Sequence, residues 1–226
     1  STCNSIVTIV DTQAPVANCQ NVTFQLDALG TYTATGAMVN NGSIDNCSIS
    51  SYTLNQSTFT CADIGTNPYT LTVTDGSGNT ATTTQVVTVI DNQNPTITAP
   101  SAVTVNNDLN ICTASGVALG TPVYNDNCSV ASVVNNAPAI YPLGNTTVTW
   151  TITDGSGNTA ISTQTVTVVD NINPSITAPI DITTNASATC GVTGLNIGTP
   201  VTADNCSVAT VVNNAPTTFS LGSTTV

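Results

Sequence analysis

Thr146-Thr147-Val148-Thr149-Trp150-Thr151-Ile152-Thr153 runs directly into Asp154-Gly155-Ser156-Gly157-Asn158-Thr159-Ala160. The first part alternates apolar and hydroxyl side chains with a period of two. That period puts Val148, Trp150 and Ile152 on one face of a strand and Thr147, Thr149, Thr151 and Thr153 on the other. The second part is hairpin-turn chemistry, because Asp and Asn cap local N–H groups and Gly accepts backbone conformations closed to other residues. The stretch therefore reads as strand, tight turn, strand, with one buried face. Trp150 is a core residue on this reading. Residues 68–74 give the same pattern, with Tyr69, Leu71 and Val73 facing inward, and lead into Asp75-Gly76-Ser77-Gly78-Asn79-Thr80-Ala81.

That duplication extends through the chain. Val7-Thr8-Ile9-Val10-Asp11, Val87-Thr88-Val89-Ile90-Asp91 and Val166-Thr167-Val168-Val169-Asp170 end in aspartates 80 and 79 residues apart. Asp-Asn-Cys-Ser occurs at 45–48, 126–129 and 204–207, and Val133–Pro138 returns at 211–216. The expected organisation is the last strand of a preceding repeat (1–11), two full repeats (12–91 and 92–170) and an incomplete third (171–226). The chain then reads as a window cut from a longer tandem array. Strand-like runs separated by Asn/Gly/Asp/Pro turns at 8–15-residue spacing predict an all-β fold of tandem immunoglobulin-like β-sandwich domains, about seven strands each, in an extended array.

Composition narrows the function. The 226 residues include twelve Asp and no Lys, Arg, His or Glu, so charged residues make up 5% of the chain against about 25% in an ordinary domain. Histidine-dependent acid/base and triad chemistry is excluded, as are Lys-based phosphate cradles and a basic nucleic-acid footprint. A net charge of −12 repels phosphate backbones and anionic membranes. No stretch is long and apolar enough to span a membrane as a helix. No enzyme, no nucleic-acid partner and no membrane insertion are expected. Eight cysteines without His or a C-x-x-C pair favour disulfides over zinc, and disulfides imply an oxidising, extracellular setting.

The equal spacing of 16 residues predicts the bridges Cys112–Cys128 and Cys190–Cys206. In the first repeat Tyr32 stands where Cys112 would, so Cys47 is assigned to Cys61, with Cys19 as the alternative. Cys3 and Cys19 then pair across the junction or stay unpaired. The second outcome is favoured, because an extended strand would hold them far apart.

The run Cys112-Thr-Ala-Ser-Gly, then Thr121-Pro122, Asp126-Asn127-Cys128, Tyr141-Pro142-Leu143-Gly144 and Thr153-Asp154-Gly-Ser-Gly-Asn158 resembles the hyalin repeat (HYR) domain. Residues 12–91 resemble its bacterial sister repeat, common in large surface adhesins of Bacteroidota, including those of gliding motility. The resemblance implies an immunoglobulin-like sandwich, display at the cell surface and a role in adhesion. Hyalin repeats commonly add a disulfide between first and last strands. Here Cys19 sits in such a first strand, but 80–90 contains no cysteine.

The loops between second and third strands and between sixth and seventh strands lie at the pole where an immunoglobulin-like domain receives the chain. Asp-Asn-Cys-Ser belongs to the first loop and Asp-Gly-Ser-Gly-Asn to the second, while the strand-closing Asp comes from the repeat before. Asp11, Asp45 and Asp75 should therefore meet at one junction, Asp91, Asp126 and Asp154 at the next, and Asp170 and Asp204 at the third. Taken singly, each Asp reads as a turn cap. Taken as recurring triplets with no counter-charge in the chain, they read as calcium sites. Asn92, Asn94, Asn171 and Asn173 in the Asp-Asn-x-Asn-Pro linkers supply candidate neutral oxygens, and these linkers resemble the calcium-binding linker of cadherins. Asp27, Asp63, Asp108 and Asp181 read as solvated turn residues.

The expected function is structural: a segment of a long extracellular adhesin or surface filament, stiffened by calcium and disulfides. The alternatives are adhesive modules that bind glycan or another surface, and a spacer stalk of a secreted enzyme. The expected partner is a surface or glycan ligand, with self-association into a filament as a further expectation.

Overall fold

The structure, a computed structural model, describes residues 3–226. The first repeat contains β1 (Val22–Gln25), β2 (Thr31–Thr33), a one-turn helix α1 (Gly36–Val39), β3 (Ile49–Leu54), β4 (Thr58–Thr60), β5 (Gly65–Asp75) and β6 (Thr80–Ile90). The hairpin β5–β6 runs from Gly65 opposite Val89 to Thr74 opposite Thr80, with Asp75-Gly-Ser-Gly-Asn79 as its turn. Period-two burial is realised, and Leu71, Val73, Val87 and Val89 are fully buried. The sheet order is β1-β6-β5-β3, with β1 parallel to β6 and the other pairs antiparallel. A separate antiparallel pair, β2–β4, contributes Phe59 to the shared core, where Phe24 stacks on Tyr32 with ring centroids 4.5 Å apart. Two sheets enclosing one core, with the first strand added in parallel to the last, make an immunoglobulin-like sandwich. Leu71→Ala should cost about 2–5 kcal/mol, read as a lower urea midpoint at unchanged slope.

The second repeat follows the same plan: β7 (Thr96–Thr98), β8 (Val103–Asn106), β9 (Thr113–Ser115), β10 (Val123–Asn125), β11 (Val130–Asn135), β12 (Ile140–Pro142), β13 (Gly144–Asp154) and β14 (Thr159–Val169). Its main sheet is β11-β13-β14-β8, again with a parallel pair, β8 with β14. Val148, Trp150 and Ile152 are buried, as their alternation requires, and so are Val166 and Val168. Residues 171–226 form only β15 (Ser175–Thr177), β16 (Gly191–Thr193), β17 (Val201–Ala203) and β18 (Thr218–Ser220), in two-stranded pairs β15–β17 and β16–β18.

The chain divides into two compact units. One comprises Ser1–Ala99, Thr121–Asn136 and Thr149–Thr163; the other comprises Pro100–Gly120, Ala137–Val148 and Gln164–Val226. The strand expected over 1–11 is not formed. Ser1 and Thr2 lie outside the described residues, and residues 3–11 adopt no regular element. A strand exists only against a neighbour that takes up its backbone N–H and C=O groups, and residues 3–11 have no such neighbour among the described residues.

The disulfides differ from those expected. Cys61 bonds Cys128 and Cys112 bonds Cys206, with Cα–Cα distances of 5.3 and 4.9 Å, while Cys3, Cys19, Cys47 and Cys190 are free. The pairs Cys112–Cys128, Cys190–Cys206 and Cys47–Cys61 are therefore corrected. The constant 16-residue spacing reflects the repeat and not a bridge. Between Cys47 and Cys61 the six-residue β3 carries the chain about 20 Å, and the three residues of β4 do not bring it back. Cys112 and Cys128 belong to different compact units. Cys112 Sγ lies 3.6 Å from the Asn205 carbonyl, beside Cys206, which leaves Cys190 without that partner. The register also shows that Gly30, and not Tyr32, stands where Cys112 does. Thr31 faces Thr60 and Thr113 faces Pro142, so Gly30 precedes β2 as Cys112 precedes β9.

Candidate metal centres

Two turns build each centre. Asp45–Ser48 leads into β3, and Asp126–Ser129 leads into β11; in both repeats the pairing slips just beyond the motif, between Ile49 and Ser51 and between Val130 and Ser132. Such a bulge re-aims the strand end. The β5–β6 and β13–β14 turns lie against these motifs. Gly76 N–H donates to the Ser48 carbonyl at 2.9 Å, and Gly155 N–H to the Ser129 carbonyl at 2.8 Å. A Cβ on Gly155 would lie 2.5 Å from Ser129 Oγ, so any larger residue there would displace the Ser129 hydroxyl.

The strand-closing aspartate completes the group. One carboxylate oxygen from each of Asp11, Asp45 and Asp75 lies within 4.8 Å of the others, and the same holds for Asp91, Asp126 and Asp154. Asp170 and Asp204 lie together in a third group beside the Cys206 sulfur, which is bonded to Cys112 and offers no thiolate. These are the groupings read from the repeat. In the first two groups carboxylates from three chain segments meet, and in the third from two, with no cation among the side chains of the protein.

Within most of these carboxylates the two oxygens have separate tasks. Asp126 Oδ2 accepts the N–H groups of Cys128 and Ser129, both at 2.9 Å, while its Oδ1 is buried without a donor. Asp91 Oδ1 accepts Gln93 N–H at 3.0 Å and Asn127 Nδ2 at 3.2 Å, while its Oδ2 is buried without a donor. The first group repeats this: Asp45 Oδ2 caps Cys47 and Ser48, Asp11 Oδ1 accepts Gln13 N–H and Asn46 Nδ2, and Asp45 Oδ1 and Asp11 Oδ2 are left over. In the third, Asp204 Oδ1 caps Cys206 and Ser207 and Oδ2 is left over. Turn capping thus occupies one oxygen of each such Asp and leaves the other open to a ligand, so the two readings of one Asp are compatible. Asp75 and Asp154 are only 2% exposed. Each is more fully engaged, with Oδ1 accepting two N–H groups and Oδ2 accepting the Asn79 or Asn158 amide at 2.7 Å.

Buried oxygens without donors are costly. Three ionised carboxylates at this separation repel by roughly 3 kcal/mol per pair at an effective dielectric of about 20, which is considerable for the buried Asp91 and Asp154 beside the half-buried Asp126. A hard divalent cation removes both costs, and an all-oxygen donor set fits calcium or magnesium, not zinc. The Asn127 and Asn205 side-chain oxygens are also buried without donors. These middle residues of Asp-Asn-Cys were missed as ligand candidates, although their recurrence in every motif was the available signal. The linker residues Asn92, Asn94, Asn171 and Asn173 are exposed.

At Asp11 and Asp75 local hydrogen bonds favour ionisation. The Gln13 N–H and the Asn46 amide hold Asp11 below the ordinary carboxylate range. For Asp75, burial opposes ionisation, but the Asn79 side chain and the N–H groups of Asn79, Ser77 and Gly78 outweigh it, and its pKa is lowered. The adjoining Asp11 carboxylate pushes the Cys47 thiol up. Of the remaining aspartates, Asp27, Asp63 and Asp108 act as turn caps, accepting the N–H groups of Leu29 and Thr31, of Thr60, and of Ser115 respectively.

No known family profile matches the chain. Hyalin of Lytechinus variegatus is 36% identical over 115 residues, covering 46% of this chain and 22% of Hyalin, so the match spans about a fifth of that protein. Among solved structures, extracellular cadherin domains 1–4 of protocadherin gamma B7 cover 78% of this chain and 56% of their own at 15% identity and a TM-score of 0.36. Drosophila N-cadherin EC1-4 covers 70% and 50% at 11% identity and a TM-score of 0.37.

Proposed function

We propose that the chain is a non-catalytic segment of a longer extracellular adhesion protein, in which calcium at each repeat junction fixes one repeat against the next. The observation that carries this is the recurrence of buried carboxylate oxygens without donors, from both the strand-closing Asp and the Asp-Asn-Cys-Ser turn in the first two groups and from Asp204 of the turn in the third. Cation binding there ties the end of one repeat to the turn of the following one, which turns a flexible connection into a stiff one. The sequence match to Hyalin supports an extracellular, adhesive setting, and a surface or glycan is the proposed partner of the parent protein. Disulfides agree with an oxidising compartment. Among the described residues no helix is long and apolar enough to cross a membrane.

Isothermal titration of the chain with calcium tests the reading. Binding should saturate at two or more sites, and Asp126→Asn should remove one of them or weaken it at least tenfold, because an amide nitrogen then faces the cation. Asp108→Asn, at a turn cap outside the clusters, should leave the isotherm unchanged. Absence of calcium heat, or equal loss in both variants, would sink the proposal.

A further inference from the structure

The Cys61–Cys128 bridge stands directly beside one of the carboxylate groups. Cys128 follows Asp126 and Asn127, whose Oδ1 atoms are both buried without donors, and Cys61 belongs to the first repeat, which also supplies Asp91. Gly65 faces Val89 in the β5–β6 register, so Cys61, just ahead of β5, and Asp91, just beyond β6, lie past the same end of the sheet. Cys61, Asp91, Asp126, Cys128 and Asp154 all fall within one compact unit. The third Asp-Asn-Cys turn is built alike. Cys206 follows Asp204 and Asn205, each with one buried side-chain oxygen lacking a donor, and bonds Cys112 of the second repeat.

The bridge also bears on the orientation of the Asn side chain. Asn127 Nδ2 lies 3.1 Å from Asp27 O, 3.2 Å from Asp91 Oδ1 and 3.6 Å from Cys128 Sγ. Cys61 Sγ lies 3.5 Å from the Asn127 carbonyl. In the third turn Asn205 Nδ2 meets Ile111 O and Cys206 Sγ, both at 3.5 Å, and Cys112 Sγ lies 3.6 Å from the Asn205 carbonyl. An amide carries its donor and its acceptor on separate atoms. A nitrogen held by the preceding repeat and by the bridge sulfur leaves the oxygen open to a ligand.

These attachments work against a repulsion. Without a cation the carboxylates of Asp91, Asp126 and Asp154 push one another apart. Asp126 Oδ2 caps Cys128 and Ser129 within its own turn and does not tie that turn to the first repeat. The turn reaches the first repeat through the Asn127 amide and through the disulfide. Hydrogen bonds exchange with water at small net gain, whereas the covalent bond does not yield to the repulsion.

We propose that Cys61–Cys128 is the positioning element of the adjoining cation centre: it holds Asp126 and Asn127 against Asp91 before a cation arrives, so calcium affinity depends on the redox state of the bridge. Because this coupling presupposes calcium at the junction, it rests on the function proposed above. Calcium should bind the bridged chain about 10–100-fold more tightly than the bridgeless one, the range for groups that orient metal ligands. Linkage is reciprocal. Calcium therefore disfavours reduction of the bridge by the same factor, which lowers its midpoint potential by about 30 mV for each tenfold. Reduction adds two electrons and two protons to the bridge and gives two thiols; a dithiol such as dithiothreitol supplies them and leaves as its cyclic disulfide.

Two measurements on the full chain test this. Isothermal titration with calcium compares the wild type, Cys61→Ser/Cys128→Ser, the same pair combined with Asp126→Asn, and Leu71→Ala, which lowers stability from the core. Removing the bridge should weaken one site by about 10–100-fold, and with Asp126→Asn already present it should change binding no further. Leu71→Ala should keep the wild-type affinity. The second measurement needs no variant: in dithiothreitol buffers, with alkylation and peptide mapping, the midpoint of Cys61–Cys128 should fall by about 30–60 mV in saturating calcium relative to chelator. Equal calcium affinity with and without the bridge, together with an unmoved midpoint, overturns this proposal and leaves the calcium reading standing. A loss in Leu71→Ala as large as in the bridgeless chain also overturns it, since stability then explains the effect. Absence of calcium binding to the oxidised wild type overturns both.

Discussion

Calcium at a hundred times its dissociation constant should raise the melting temperature by about 5–10 °C for each junction that binds it, and a chelator should reverse the shift. The magnitude follows from linkage. A ligand that binds only the folded state adds about 2.7 kcal/mol at that excess, and about 1 kcal/mol moves the midpoint of a chain of this size by about 2–4 °C. The effect belongs to the folded state because the ligand oxygens come from segments far apart in sequence. Asp91 and Asp126, for instance, are brought together only by the fold. Magnesium should act more weakly, since it demands tighter octahedral geometry and gives up water reluctantly. Differential scanning calorimetry with calcium, magnesium and chelator measures all three conditions. Identical transitions in all of them would leave the orphaned oxygens to water alone and end the metal reading.

Removing Cys61–Cys128 by the double change to Ser should cost about 4 kcal/mol. The chain-entropy relation for its 67-residue separation gives that figure, and the 94 residues of Cys112–Cys206 give slightly more. The 16-residue bridges expected from sequence spacing would each have contributed about 3 kcal/mol. The observed pairs therefore constrain the unfolded chain more, because each ties one repeat to the next. Urea unfolding of the wild type and the double variant reads the difference as a lower midpoint. Peptide mapping reads the pairing itself, and recovery of a Cys112–Cys128 peptide would contradict the structure outright.

Much of the fold is legible in the β5–β6 and β13–β14 hairpins alone. Alternation of Leu71 and Val73, or of Val148, Trp150 and Ile152, with threonine determines which face is buried, and Asp-Gly-Ser-Gly-Asn determines where the chain turns back. Residues 171–226 behave differently: they keep the Asp-Asn-Cys-Ser and Val-Val-Asn-Asn-Ala-Pro motifs of the repeat but lack the hairpin motifs, and they form only three-residue strands. A motif records local preference, whereas a strand also needs a neighbour for its backbone groups. The same reason leaves residues 3–11 without regular structure despite a sequence that matches β6.

The aspartate groupings were legible because periodicity along the chain and immunoglobulin-like connectivity together specify which loops share a pole. The role of Asn127 and Asn205 was not, because an Asn in a turn offers a donor and an acceptor. Only the surroundings decide which is used. At Asn127 the amide nitrogen is taken by Asp27 O and Asp91 Oδ1, and the oxygen is left over.

By itself the sequence determined the all-β class, the repeat of about 80 residues, the buried strand faces and the three aspartate groups. Each of these follows from short-range patterning or from a period that counting reveals. Tertiary structure decided which cysteines bond and how each carboxylate divides its two oxygens. Both outcomes depend on distances of a few ångströms between segments remote in sequence, and Cys61 beside Cys128 is set by how strand ends and turns meet, which residue spacing does not encode.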